Sequence, residues 1–273
     1  MPVLSECFTF DNSKPLINDY NCLNKLSLLI RDDPILHCYN FSDKFLLIFL
    51  RHRKFDVLRA LHQLRCYIKK VITKPEFFCF NIDFINVIQS GVVQFQEENS
   101  TDGSAIVLCR PGLWKPEKTS LIDLIRLSIM YISIRLENVE CNGHIIVDAS
   151  DLSLNQILSF GISGAKMLID IFISTLPVKV KKIHLIRGNR LLSMGIKLFW
   201  PFISEKIKKR VINHENRLDE IFECCPRSVL PTWVGGDIED DLSGEKCIQK
   251  IMAGSKMFKE VWNQVQRSQS KLR

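Results

Sequence analysis

The chain has 273 residues and a mass of 31.6 kDa, and 46% of its residues are hydrophobic. These values and a mean hydropathy of +0.05 are typical of a globular protein and exclude a largely disordered chain. The net charge is +7, yet the 32 residues from Lys179 to Arg210 alone hold ten basic residues and one acid. The remainder of the chain is therefore close to neutral.

Three further classes of protein are disfavoured. The longest apolar run near the centre, Leu127 to Ile134, is much shorter than the about 20 residues of a bilayer-spanning helix, so we expect no such helix. The N-terminus lacks the basic and apolar regions of a secretory signal. The ten cysteines are scattered, with Cys224 and Cys225 adjacent and no C-x-x-C pair, which favours reduced cysteines over disulfides, a zinc site or a redox motif.

The first 90 residues or so have a helical pattern. A leucine-rich helix is predicted after the candidate cap Ser42, and apolar residues at spacings of three and four predict another from Val57 to Ile68. Two short runs typical of strands then begin at Val92 and Ser104.

Strands and helices alternate in the second half of the chain. A helix that is apolar on almost every side is predicted from Thr119 to Glu137, which favours a buried helix or the wall of an apolar cavity. The strand HIIVDAS, a helix to about Thr175 and a strand from Lys181 to Ile186 follow. This alternation predicts an α/β domain with a mostly parallel sheet, and a polar helical tail is expected after Ser243.

No catalytic signature is present. The sequence contains no G-x-S-x-G, P-loop, G-x-G-x-x-G or H-E-x-x-H motif. His184 lies within an apolar strand and is interpreted as a hydrogen-bonded core residue, and His214 follows a predicted basic helix. We therefore expect no enzyme activity, no cofactor and no metal site.

The basic segment also contains apolar and aromatic residues, which lie between two basic clusters. This combination favours an anionic membrane surface, where cations contact headgroups and aromatic side chains enter the interface. Nucleic acid is a less suitable partner, because the apolar residues are mostly aliphatic and the rest of the chain is near neutral.

Four segments, in order, resemble the Sec14-like (CRAL-TRIO) family and, within it, the α-tocopherol transfer protein branch. DKFLLIFLRHRKFDVLRA (43–60) resembles the N-terminal helical motif, and CNGHIIVDASDL (141–152) resembles the N-G-x-x-x-x-x-D strand. LPVKVKKIHLI and PFISEKIKKRVINH lie within 176–214, and LPTWVGG (230–236) resembles the L-P-x-x-[YW]-G-G signature. The ordered set covers most of the chain and is more specific than any single segment.

The resemblance implies an α/β protein with three parts: an N-terminal helical bundle (1–85), a CRAL-TRIO lipid-binding domain (86–240) and a C-terminal helical tail (241–273). One lipophilic molecule would occupy an apolar cavity behind a helical gate at about 190–202. The implied cavity residues are Leu124, Ser128, Tyr131, Ile132, Ile146, Ile171 and Val178. The implied membrane-gate residues, for which ordinary core packing is the alternative, are Leu191, Leu192, Met194, Leu198, Phe199 and Trp200.

In the tocopherol-transfer branch, basic side chains around the gate bind phosphoinositide headgroups. The matching positions here are Arg53, Lys179, Lys181, Lys206 and Arg210. Their spacing predicts that Lys206 and Arg210 share a helix face and that Lys179 and Lys181 share one side of a strand.

The sequence departs from the family pattern near the implied ligand. Tocopherol binders have two serines one helical turn apart, and here Ser128 matches the first while Ile132 replaces the second. Tyr131 and Ser133 are alternative hydroxyl donors. The ligand is thus left open among tocopherol, a retinoid, a sterol or a similar lipophile.

The resemblance implies an intracellular lipid-transfer protein that exchanges one small lipophile at phosphoinositide-containing membranes. We expect a cytoplasmic monomer that binds membrane surfaces transiently, without enzyme activity and without a nucleic-acid partner. The alternative is a phosphoinositide-sensing interaction module without transferable cargo.

Overall fold

The computed structural model describes residues 17–79, 85–138, 142–215, 217–239, 249 and 253–270. Its helices, in chain order, are α1 (Ile17–Arg31), α2 (Asp43–His52), α3 (Val57–Thr73), α4 (Ile85–Gln89), α5 (Leu121–Asn138), α6 (Leu154–Leu168), α7 (Arg190–Phe199), α8 (Glu205–Lys208), α9 (Asp219–Phe222) and α10 (Lys256–Ser270). The strands are β1 (Val93–Phe95), β2 (Ala105–Cys109), β3 (Asn142–Asp148), β4 (Lys179–Ile186) and β5 (Val211–Glu215).

The N-terminal helices pack around an aromatic core that α10 completes. Ser42 caps α2 by accepting a hydrogen bond from the backbone N–H of Phe45. Phe45, Tyr67 and Phe258 are fully or almost fully buried and lie in edge or tilted ring contacts with one another. The indole N–H of Trp262 donates to the Tyr67 hydroxyl at 2.6 Å. The C-terminal helix, although mostly polar in sequence, is therefore attached to the N-terminal helices by one apolar face.

The five strands form one sheet in the order β1-β2-β3-β4-β5. β1 is antiparallel to β2, and all other pairs are parallel. The sequence prediction of an α/β fold with a mostly parallel sheet is thereby confirmed. It missed β5, because α8 is only four residues long and the chain leaves it directly into the edge strand.

The two faces of the sheet are covered differently. Helices α5, α6 and α7 each connect successive parallel strands. Because such crossovers are right-handed in almost all sheets, the three helices lie on one face, which we call the inner face. Residues 218–238, which we call the covering segment, pack on the other face against four fully or almost fully buried side chains of β2, β3 and β4: Ile106, Leu108, Ile146 and Ile186. The LPTWVGG motif lies near the C-terminal end of this segment, and its last glycine is tightly packed. A Cβ on Gly236 would lie 2.0 Å from the carbonyl oxygen of Leu230, so a larger residue would not fit there.

One helix within the described ranges has the length and apolar composition of a bilayer-spanning helix. It is formed by α6 and the π-helical turns after it, Leu154–Thr175. This helix differs from the expectation of no such helix, because its apolar residues do not form one continuous run. Both of its ends continue into neighbouring parallel strands, β3 and β4, and a crossover helix of an α/β sheet passes the same test of length and composition.

Candidate functional site

A pocket of about 560 Å³ lies where the C-terminal end of α2, the start of β4 and α8 meet. Among the residues that the structure describes, those lining the pocket include no aspartate or glutamate. They include six lysines and arginines, and we call this site the basic pocket: Arg51, Arg53, Lys54, Lys179, Lys206 and Arg210. Six cations in one pocket create a strongly positive surface that suits a polyanion.

The turn after α2 holds one side of the basic pocket in place. Lys54 and Phe55 have φ values of +54° and +60°, which non-glycine residues rarely adopt, so the chain reverses sharply beside Arg53. The buried side chain of Gln63 accepts a hydrogen bond from Arg53 Nε at 2.8 Å and donates one to the Leu176 carbonyl at 3.1 Å. This amide links α2 and α3 to the segment that leads into β4.

His52 adds a second link across the same boundary. Its Nδ1 lies 2.8 Å from Gln63 Oε1, and its Nε2 lies 3.1 Å from the Val178 carbonyl oxygen. On the opposite side of the pocket, the guanidinium of Arg210 donates to the carbonyl of Val180. The arginine positions are therefore fixed by hydrogen bonds, whereas Lys179 and Lys206 are exposed.

Four of the five residues expected to bind phosphoinositide line this pocket. They are Arg53, Lys179, Lys206 and Arg210. Sequence reasoning did not include Arg51 and Lys54, although the run RHRK at 51–54 was a visible signal that the end of the helix is basic.

The fifth residue, Lys181, is not among the described residues that line this pocket. Strand pairing passes from Gly143–Val180 to His144–Lys182, which leaves Lys181 as the extra residue of a β-bulge. A bulge interrupts the two-residue alternation of a strand. Lys181 instead pairs with Asp102, with Nζ and Oδ2 3.3 Å apart.

The inner face of the sheet is incompletely covered. Four helix-facing side chains of the central strands are only half-buried, whereas Leu185 on the same face is buried. The four are Val107, Ile145, Val147 and Ile183. On α5, Ser128 and Ile132 are also half-buried. An α/β sheet normally buries both faces, so this pattern indicates space between the sheet and its helices.

The expected cavity residues fall into three groups. Ser128 and Ile132 are half-buried, while Leu124, Tyr131 and Ile171 belong to the main hydrophobic core. Val178 is half-buried and lines the basic pocket. The assignment of Ile146 is corrected: strand alternation directs it to the covering segment, where it is fully buried, and leaves Ile145 and Val147 for the inner face.

Each candidate hydroxyl donor is bonded to a backbone carbonyl. Ser128 donates to Leu124 at 2.9 Å, Tyr131 to Gln96 at 3.1 Å, and Ser133 to Met130 at 2.7 Å. Each hydroxyl oxygen retains acceptor capacity, so a polar group on a ligand would meet an acceptor at these positions.

The expected gate corresponds to α7 and the 3-10 turn Trp200–Phe202. Asn189 caps α7 by accepting from the backbone N–H of Leu192 at 3.0 Å, and Phe199 packs edge-on against Phe160 of α6 at 5.1 Å. The six gate residues differ in exposure. Met194 and Leu198 are 43% and 42% exposed, and the other four are half-buried: Leu191, Leu192, Phe199 and Trp200.

Large apolar side chains are also exposed on α6, the helix that α7 packs against. They are Leu154, Leu158 and Ile162, and Phe202 follows α7. We call these four residues, with Met194 and Leu198, the exposed apolar patch. Lys166 Nζ lies 4.9 Å from the Phe202 ring centre, so cations border this patch. Exposed apolar side chains of this size on neighbouring helices are typical of an interaction surface.

The architecture is that of an α/β domain preceded by a helical bundle, and comparison with known proteins identifies its family. Residues 89–236 match the CRAL/TRIO domain family, and the chain belongs to this family. It is 32% identical over 203 residues to the human alpha-tocopherol transfer protein-like protein, which covers 72% of this chain. It is 26% identical over 204 residues, 72% of this chain, to clavesin-1 of Rattus norvegicus.

The matched regions cover 59% of the length of the first relative and 58% of the second, so the chain spans about three fifths of these curated relatives. The solved structure of Sfh5 has a similar fold. It aligns with a TM-score of 0.55 at 13% identity, over 84% of this chain and 91% of that chain.

Proposed function

We propose that this chain binds one small lipophilic molecule and exchanges it at phosphoinositide-containing membranes. The observation that carries the proposal is the basic pocket, in which six cations surround about 560 Å³. Members of the CRAL/TRIO family bind or transfer lipids, which supports a lipid as the ligand.

A phosphorylated inositol headgroup has the charge and shape that the basic pocket suits. Each phosphate monoester carries a charge of about −1.5 to −2 near neutral pH. Arginine contributes planar donors for two phosphate oxygens, and lysine contributes a mobile point charge. The hydrogen-bonded Arg53 and Arg210 and the exposed Lys179 and Lys206 supply both kinds of contact.

The lipophile would lie between the inner face of the sheet and α5, α6 and α7. Half-burial of Ile145, Val147 and Ile132 supports this position, because a ligand there would remove their remaining surface from water. Burial of apolar area contributes about 25 cal/mol per Å² to binding. The lining is aliphatic, so it constrains the size of the ligand more than its chemical class.

Membrane docking would involve two surfaces at once. Basic residues near an anionic bilayer contribute about 1 kcal/mol each, and the exposed apolar patch would enter the interface. Opening of α7 would follow if the open state binds the membrane more tightly than the closed state does. The same surface would then hold the protein and release the ligand.

The test combines vesicle binding with ligand identification. We expect vesicles with phosphatidylinositol bisphosphate to bind the chain more tightly, at physiological salt, than phosphatidylserine vesicles of equal surface charge. Native mass spectrometry before and after loading with tocopherols, retinoids and sterols, followed by solvent extraction, would identify a one-to-one lipid. Equal binding to both vesicles would contradict the headgroup site. Selective vesicle binding without any loaded lipid would favour a sensing module over a carrier.

A further inference from the structure

Three histidines on neighbouring strands form a buried row beneath the covering segment. His144, His184 and His214 are 3%, 1% and 1% exposed. His144 Nδ1 lies 3.2 Å from His184 Nε2, and His184 Nδ1 lies 2.9 Å from His214 Nε2. The expectation that His184 is a hydrogen-bonded core residue agrees with this placement. The row extends across β3, β4 and β5, so no local sequence pattern revealed it.

Each end of the row faces a carboxylate. His144 Nε2 lies 3.6 Å from Asp102 Oδ1, and His214 Nδ1 lies 3.2 Å from Glu220 Oε2. Two links between rings and two contacts with carboxylates require four protons, but three neutral imidazoles carry only three N–H groups. If all three imidazoles are neutral, one ring nitrogen therefore directs its lone pair at another acceptor, with no proton between them. Either one additional proton or a cation bound within the row would resolve this conflict.

The covering segment brings two cysteines to the same place. Cys225 is fully buried and Cys224 is half-buried. One donor atom each of His144, Cys224 and Cys225 lie within 4.8 Å of one another. Cys224 Sγ also lies 3.7 Å from His184 Nε2. One imidazole and two thiols thus converge at one buried point, and His184 adjoins it through its contacts with His144 and Cys224.

We propose that His144, His184, Cys224 and Cys225 bind a thiophilic divalent cation, with Zn²⁺ as the reference ion. Tetrahedral zinc with Zn–N bonds of about 2.0 Å and Zn–S bonds of about 2.3 Å separates two nitrogens by about 3.3 Å and a nitrogen from a sulfur by about 3.5 Å. The corresponding separations here are 3.2 Å between the two imidazoles and 3.7 Å between His184 and Cys224.

A cation between His144 Nδ1 and His184 Nε2 also satisfies every imidazole nitrogen of the row. His144 then presents Nε2–H to Asp102, His184 donates Nδ1–H to His214, and His214 presents Nδ1–H to Glu220. Metal-bound histidines commonly have such carboxylate or hydrogen-bonded partners, which fix the ring tautomer. All three rings are neutral in this arrangement, which suits their burial.

The thiols are suited to the same role. Cys224 Sγ lies 3.7 Å from His184 Nε2, and Cys225 is the next residue in the chain. The thiolate is the form that binds metal. Binding would release the thiol protons of Cys224 and Cys225 to solvent and attach the covering segment directly to β3 and β4.

The experiment uses the full chain, reduced and treated with a chelator, and titrates it with Co²⁺ and then Zn²⁺. We expect one Co²⁺ per chain, with tetrahedral ligand-field bands and a thiolate-to-cobalt charge-transfer band that Zn²⁺ abolishes. His144→Gln and Cys224→Ser should weaken Co²⁺ binding at least about tenfold, since each removes a ligand. The control is Cys66→Ser, because Cys66 also lies beside a histidine, with Sγ 3.6 Å from His62 Nε2, but on α3.

X-ray absorption at the zinc edge of the wild-type protein does not depend on whether the variants fold. Two sulfur and two nitrogen neighbours support the site, and any other sulfur count overturns it. Loss of the cobalt bands in Cys66→Ser, or their retention in Cys224→Ser, would place the metal elsewhere and also overturn it. Absence of Co²⁺ and Zn²⁺ binding would mean that an additional proton resolves the conflict in the row.

Discussion

Lys181 Nζ lies 3.3 Å from Asp102 Oδ2, so the charge of Lys181 is paired outside the basic pocket that Lys179 lines two residues earlier. A β-bulge in β4 lies at this point and shifts the pairing with β3 by one residue. Two lysines that the sequence places together therefore have different environments.

Replacing each of these lysines with alanine should separate their roles. Lys179→Ala should weaken binding to phosphatidylinositol bisphosphate vesicles about fivefold, since a basic residue near an anionic surface contributes about 1 kcal/mol. Lys181→Ala should change it less than about twofold. Vesicle flotation at physiological salt would measure both. A larger loss in Lys181→Ala would contradict the pocket as the headgroup site.

A second matched pair lies on and just after α8. Lys206 lines the basic pocket, whereas Lys209 is exposed and is not among the lining residues. Lys206→Ala and Lys209→Ala remove the same charge, so non-specific attraction should fall equally in both. Only Lys206→Ala should reduce the preference for phosphatidylinositol bisphosphate over phosphatidylserine. Arg210→Ala is a less direct test, because Arg210 also donates to the Val180 carbonyl.

The family resemblance placed the gate at about 190–202, and the boundaries of α7 have local causes. Asn189 is a good N-cap, and Pro201 cannot continue a regular helix, so α7 ends at Phe199. The α/β class followed from the apolar strands and the helices between them. These features depend on residues close together in the chain.

The features that were missed depend on contacts between distant residues. The sequence of β3 is equally apolar at Ile145 and Ile146, and only the sheet register assigns them to opposite faces. The short β5 is a strand because it pairs with β4. The cysteines of the covering segment meet His144 although about 80 residues separate them, a spacing outside the short ligand repeats of zinc fingers.

The exposed apolar patch predicts how the gate contacts a membrane. Met194→Asp and Leu198→Asp should each reduce partitioning into anionic vesicles several-fold while leaving the midpoint of urea unfolding nearly unchanged, because both side chains are more than two-fifths exposed. Leu58→Asp on α3 is the control, since Leu58 is 70% exposed but lies outside the patch. An equal loss of partitioning in Leu58→Asp would indicate a charge effect instead of a docking surface.

The two neighbouring isoleucines of β3 provide the sharpest test of the ligand position. Ile145→Phe adds volume on the half-buried inner face, so it should reduce loading of a bound lipophile with little effect on unfolding. Ile146→Ala removes a fully buried side chain beneath the covering segment and should cost about 2–5 kcal/mol of stability. Native mass spectrometry and urea unfolding measure the two quantities. If Ile145→Phe loads lipid as well as the wild type does, the ligand does not lie over this face, because a larger ring there would compete directly with it.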